Sequence, residues 1–113
     1  MNGPESHMLY HRAGAILGSG RQDAEWDVGE DVARRVFAIW KGLRPHMGKL
    51  PVARPEGYKG CFLRYGDDLE LFAYGGIVTM MTRARAESRA DGERSIERFL
   101  LATRPDGTMP DPW

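Results

Sequence analysis

The chain is 113 residues long and carries 16 basic and 16 acidic side chains, so its formal net charge is zero. This length predicts one domain with one modest core. A protein with no net charge lacks the positive electrostatic field that attracts nucleic acid or an anionic membrane, so we expect neither as a partner.

The composition also indicates a compartment and a source. Cys61 is the only cysteine, so no disulfide forms within the chain, which is typical of a protein of the reducing cytoplasm. No apolar run approaches the ~20 residues that span a bilayer. Arginine outnumbers lysine thirteen to three, which points to a GC-rich bacterial genome. We place the domain at residues 8–113 and expect residues 1–7 to be disordered or non-native.

The first predicted element is an N-terminal amphipathic helix in the stretch from Asp27 to Pro45. Its apolar residues follow the 3.6-residue period of a helix: Val28, Val32, Val36, Ile39, Trp40 and Leu43. Asp27 and Glu30 have the spacing of a capping box, in which side chains bind the free amides of the first turn. Pro45 ends the helix because it has no N–H to donate.

A strand-rich stretch follows from residue 61 to about residue 85, and side-chain chemistry predicts its register. A three-residue loop at Gly66–Asp68 sets Arg64 opposite Glu70, whereas a two-residue loop would set Leu63 opposite that glutamate. We therefore predict the three-residue loop. The pairs are then Cys61–Ala73, Phe62–Phe72, Leu63–Leu71, Arg64–Glu70 and Tyr65–Leu69.

This register gives the hairpin two faces, because strand side chains alternate. One is plainly apolar and carries Cys61, Leu63, Leu69, Leu71 and Ala73. The other, which we call the aromatic face, carries Phe62, Arg64, Glu70, Phe72 and Tyr74. Gly75–Gly76 is either a tight turn into a third strand or a bulge in one long strand. We favour the turn, which places Val78 on the apolar face.

The last predicted element is a short C-terminal helix. Asp91 is its candidate N-cap and Pro105 follows its end. One face carries Ile96, Phe99, Leu100 and Thr103. The predicted fold is therefore α+β, with an N-terminal amphipathic helix, an antiparallel meander of three to four strands and a short C-terminal helix.

The residue patterns that would support catalysis or cofactor binding are incomplete. Asp67 and Asp68 fall at a loop tip, where Asp is a common turn former. Gly18 and Gly20 lack the third glycine of a dinucleotide-binding loop. Cys61 lies on the apolar face, which predicts an inert buried thiol.

The histidines, His7, His11 and His46, are scattered, and a metal site would need a third ligand near the first two. We therefore predict no catalytic residue, no metal and no cofactor.

The aromatic face is the remaining candidate binding site. Its rings need a cover, since a bare apolar patch is unusual on a monomer. We expect the C-terminal helix, a second copy of the chain, or a small ligand to supply it. The leading functional prediction is a non-catalytic binding or interaction protein, bacterial and cytoplasmic, that forms a homodimer.

The alternative prediction is a small-molecule-binding domain or small enzyme. Its pocket would lie between the aromatic face and a helix and would take a small apolar or cationic ligand. Arg64, Glu70 and Tyr74 would supply its polar groups.

Overall fold

The computed structural model describes residues 11–18, 23–52 and 57–107. Within these ranges, seven strands form one antiparallel sheet and two helices pack against it. The elements are β1 (His11–Ala15), β2 (Ala24–Val28), α1 (Glu30–Lys41), β3 (Arg44–Pro45), β4 (Cys61–Tyr65), β5 (Leu69–Tyr74), β6 (Ile77–Met81), β7 (Ala86–Ala90) and α2 (Ser95–Ala102). The order across the sheet is β2-β1-β4-β5-β6-β7-β3. The predicted α+β class is confirmed.

The predicted register of the central hairpin is confirmed. Tyr65 pairs with Leu69 across the three-residue loop, and Arg64 pairs with Glu70. The β5–β6 connection is a tight turn, because Tyr74 pairs with Ile77 directly across two glycines. Gly75 and Gly76 have φ of +65° and +84°, and this left-handed conformation is the one a two-residue hairpin turn requires.

The predicted number of strands is too small, and the amphipathic helix is not N-terminal. Strands β1 and β2 precede α1, and β7 and β3 extend the other end of the sheet. The predicted capping box is also wrong, because Asp27 lies in β2. The N-cap of α1 is Gly29, which has no side chain with which to cap the first turn. Val28 fits the helical spacing of the apolar residues that follow it, so the sequence pattern did not reveal that it ends a strand.

Both helices pack on the apolar face of the sheet. Leu63 and Leu71 from the hairpin, Val36 from α1 and Leu100 from α2 belong to one buried cluster. Burying such a side chain stabilises the fold by about 1.5–3 kcal/mol each. Of the three covers considered for the aromatic face, the C-terminal helix is therefore excluded, since α2 contacts β4, β1 and β5 from the opposite side.

The predicted N-cap is wrong, because α2 begins at Ser95 and its N-cap residue is Arg94, but Asp91 still binds the first turn of the helix. The buried Asp91 carboxylate accepts hydrogen bonds from the backbone N–H of Ser95 at 2.9 Å and of Ile96 at 2.8 Å. Arg94, which lies between Asp91 and the helix, has φ +56°. This left-handed conformation is disfavoured for residues other than glycine.

Neither helix is a membrane span. Within the described ranges, no helix combines the length and the apolar character needed to cross a bilayer.

Candidate functional site

The candidate site is the sheet face opposite α1 and α2, which we call the helix-free face. Because strand residues alternate, the structure brings together all five residues of the predicted aromatic face: Phe62, Arg64, Glu70, Phe72 and Tyr74. Strand β6 adds Ile77, Thr79 and Met81 to the same face, since they pair with Tyr74, Phe72 and Glu70. Rings, aliphatic groups and charges thus share one surface.

One end of the helix-free face is a network of ion pairs. Arg12 Nη1 lies 2.8 Å from Asp27, and Arg12 Nε lies 3.3 Å from Glu25. Arg64 binds the same Glu25 at 3.6 Å and its predicted partner Glu70 at 3.4 Å. Arg12 is the cross-strand neighbour of Arg64, so Glu25 bridges two like charges that would otherwise repel. Each arginine is thus paired within the chain.

Phe62 lies beneath this network and is buried, with 2% of its surface exposed. The Arg64 guanidinium carbon lies 4.3 Å from the ring centroid, which is a cation–π geometry. From β1, Gly14 makes room for the ring, because a Cβ there would lie 2.6 Å from Phe62 Cε2. Phe62 therefore supports the face from within, and its ring is not free to meet a partner.

Residues 46–52, which we call the crossing segment, partly cover the other end of the face. At its start, the His46 N–H donates to Ser88 of β7 at 2.9 Å, and His46 Nε2 lies 3.0 Å from the Lys49 carbonyl oxygen. At its end, Pro51 reaches the β5–β6 turn, where a Cβ on Gly75 would lie 2.9 Å from Pro51 Cβ. A loop, not a helix, therefore lies on the predicted aromatic face.

A small crevice separates the crossing segment from the sheet. It has a volume of about 80 Å³ and is lined by Leu50, Pro51, Phe72, Tyr74, Ile77 and Thr79. This is the room of roughly two or three waters at ~30 Å³ each. A drug-sized ligand needs ~300 Å³ or more, so the crevice suits a single side chain.

The crossing segment exposes three large apolar side chains. Met47 is 94% exposed, Leu50 53% and Val52 91%. Single exposed apolar residues are ordinary. Here three occur within six positions, beside an apolar crevice. They extend the apolar surface of the helix-free face outward.

Two polar clusters on the helix side were not predicted. In the first, His11 Nε2 lies 2.8 Å from Glu30 Oε1, and the Tyr65 hydroxyl donates to Glu30 Oε2 at 3.1 Å. The hydrogen bond from His11 lowers the pKa of Glu30. The His11 ring also stacks on Tyr65 with a 4.2 Å centroid distance. Glu30, predicted as part of a capping box, instead ties α1 to β1 and β4.

The second cluster surrounds Glu97 of α2, which is only 2% exposed. Glu97 Oε2 accepts a 2.5 Å hydrogen bond from the Tyr58 hydroxyl. Glu97 Oε1 is buried and has no hydrogen-bond partner among the described residues. Burial raises the pKa of Glu97 and also that of the neighbouring Cys61 thiol. The sequence did contain a signal that Glu97 is buried. Leu101 follows it by four residues, which is one helical turn, and is buried on the same side of α2.

The remaining predicted residues lie apart from both clusters. Asp67 and Asp68 are exposed at the β4–β5 loop, where Asp68 pairs with Arg83 at 2.8 Å. His7 and Gly20 fall outside the described residues. Among the residues that the structure does describe, no group of three His, Cys, Asp or Glu side chains could hold a metal ion.

Comparisons with protein-family models, with curated proteins and with solved structures each find no match for this chain. What the protein does is therefore inferred from its own geometry.

Proposed function

We propose that the protein is a non-catalytic interaction protein that forms a homodimer through its helix-free face. The observation that carries the proposal is the one-sided packing of the sheet. Both helices lie on the apolar face, while the opposite face presents apolar side chains under a short loop. A solvated sheet face is normally polar, so this surface fits an interface.

The charges of the face favour a second copy over other macromolecules. The two arginines at its charged end, Arg12 and Arg64, bind three carboxylates of the same chain. Nucleic acid or an anionic membrane would need unpaired cations. At that end two copies can approach without net repulsion, because Arg12 and Arg64 are already paired.

The size of the face approaches that of a standard interface. Six of its strands have five or six residues. At ~3.4 Å per residue and ~4.8 Å between strands, the face measures about 500 Å² in projection. Side-chain relief and the crossing segment increase its accessible area toward the ~800 Å² per partner of a standard interface.

The geometry favours this proposal over a small-molecule site. The predicted pocket needed a helix above the aromatic face, but α1 and α2 lie on the other side of the sheet. The crevice beneath the crossing segment holds about 80 Å³, well below the ~300 Å³ of small ligand pockets. A larger hollow at the charged end, of about 250 Å³, is an open groove in which Arg64 and Glu70 already pair with each other.

Sedimentation equilibrium over a hundredfold range of concentration tests the dimer. The average mass should rise from the 12.7 kDa of one chain toward twice that value. Thr79→Arg should hold the protein at the monomer mass, because it places an unpaired charge in the middle of the helix-free face. A wild-type protein that stays monomeric throughout the range would overturn the proposal.

Two control variants make the result specific. Thr79→Val removes the 2.8 Å hydroxyl contact with Ser88 but keeps the size of the side chain, and it should still dimerise. Ala38→Arg adds the same charge at an exposed position of α1 and should behave as the wild type. Circular dichroism should show the wild-type fold for all three variants. If Thr79→Arg is folded and dimeric, the helix-free face is not the interface.

A further inference from the structure

We infer that Val52 of each copy inserts into the crevice of the other, so that two Val52 side chains form the centre of the interface. The crevice is the one defined above, between the crossing segment and Phe72, Tyr74, Ile77 and Thr79. This inference rests on the proposed homodimer and assigns the contact that holds it together.

The chain carries both halves of a complementary contact on the same surface. Val52 is 91% exposed, and its neighbour Pro51 lines the crevice. In a two-fold dimer, a contact from residue i to residue j is repeated from j to i. A side chain beside its own crevice therefore lies close to the crevice of the partner when the axis passes between them.

Position and side-chain size favour Val52 over Met47. Val52 directly follows Pro51, which lines the crevice, and its isopropyl group is smaller than a thioether chain. Valine also has one stiff side-chain torsion, so fixing it costs less conformational entropy than fixing methionine. Met47, although 94% exposed, is therefore assigned to the rim.

The chemistry of the lining suits this occupant. Leu50, Pro51, Phe72 and Ile77 contribute apolar walls, and the Thr79 hydroxyl is already bound to Ser88. An aliphatic side chain thus fills the crevice without leaving a polar group unpaired. In protein interfaces a few centrally buried side chains account for most of the binding energy.

Truncation of the two exposed side chains tests the assignment. Val52→Ala should raise the dimer dissociation constant at least tenfold, whereas Met47→Ala should change it less than threefold. Both positions are more than 90% exposed in one copy, so neither variant should alter the fold or its stability. Equal effects of the two variants, or no effect of Val52→Ala, would overturn the inference.

A cross-link tests the contact directly. Val52→Cys and Ile77→Cys are made as separate proteins, mixed and oxidised, while the native Cys61 is buried. A disulfide requires Cβ atoms about 3.5–4.5 Å apart, so the mixture should give a covalent dimer far more efficiently than either variant alone. Val52→Cys mixed with Ala38→Cys is the control and should give no more covalent dimer than Val52→Cys gives alone.

The outcomes separate this inference from the proposed function. If Thr79→Arg dissociates the dimer but Val52→Ala and the mixed cross-link have no effect, the helix-free face is the interface and Val52 is not its centre. If the wild type is a monomer, both the proposed function and this inference are wrong.

Discussion

Glu97 is a carboxyl group whose surroundings favour its protonated form. It is buried, and its contacts include a hydroxyl donor but no ion pair shorter than 4 Å to a described cation. Burial raises its pKa, while the hydrogen bond from Tyr58 and the more distant charges of Arg94 and Arg98 oppose that shift and Asp91 adds to it. Because the folded pKa lies above the unfolded value of about 4.3, folding favours proton uptake by this group.

Glu97→Gln should therefore change how stability depends on pH. The contribution of Glu97 is fully present below about pH 4.3 and is lost as the pH rises through its folded pKa. Glutamine does not ionise, so the variant should become progressively more stable relative to the wild type as the pH rises from 4 to 8. Urea denaturation across this range measures the difference. Glu93→Gln, at an exposed position, should parallel the wild type, and a pH-independent gap for Glu97→Gln would contradict the prediction.

Side-chain contacts could be predicted only where a local register places them. The Arg64–Glu70 pair followed from the loop length of one hairpin, and it is present at 3.4 Å. The contacts of Glu30 and Glu97 join elements that are far apart in the chain, with sequence separations of 19 and 39 residues. No local pattern encodes such a distance.

The short helix α2 depends on one carboxylate just before it, Asp91, for its first turn. Asp91 accepts from two backbone amides that an eight-residue helix leaves without partners inside it. Asp91→Ala should therefore lower the free energy of unfolding by about 1–3 kcal/mol. Chemical denaturation measures this loss. Glu93→Ala is the control at an exposed position nearby, and a loss of less than ~0.5 kcal/mol for Asp91→Ala would show that water satisfies both amides.

Elements with local periodicity were predicted, and those that depend on distant pairing were not. Strands β4, β5 and β6 are joined by short turns, so their register could be derived from neighbours in sequence. Strand β1 is completed by β4, about fifty residues later, and β3 by β7. The spacing of Asp27 and Glu30 also placed the predicted helix start inside β2, whereas α1 begins at Glu30. Tertiary pairing decided these segments against their local pattern.

The arrangement of the whole molecule separates two kinds of surface. Helices α1 and α2 bury the apolar face, and the helix-free face retains a charged end and an apolar end. The sequence predicted the composition of that face but not its cover. A loop has no periodicity, so nothing in residues 46–52 indicated that they would cross the sheet.

This separation predicts how salt affects the proposed dimer. The arginines and carboxylates at the charged end form their ion pairs within one copy, and their side chains are 33–60% exposed. Salt therefore screens these ion pairs, but they do not hold the two copies together. Apolar contacts around the crevice do not weaken with ionic strength. Raising NaCl from 0.05 to 0.5 M should therefore change the dissociation constant less than about threefold.

Sedimentation equilibrium at the two salt concentrations measures this dependence, with Arg12→Gln as the matched variant. If the charged end only pairs internally, the variant should dimerise as well as the wild type while its ion pairs to Glu25 and Asp27 are lost. A dissociation constant that rises tenfold with salt, and that rises equally in Arg12→Gln at low salt, would place these charges across the interface. The two-fold axis would then lie at the charged end of the face, far from Val52.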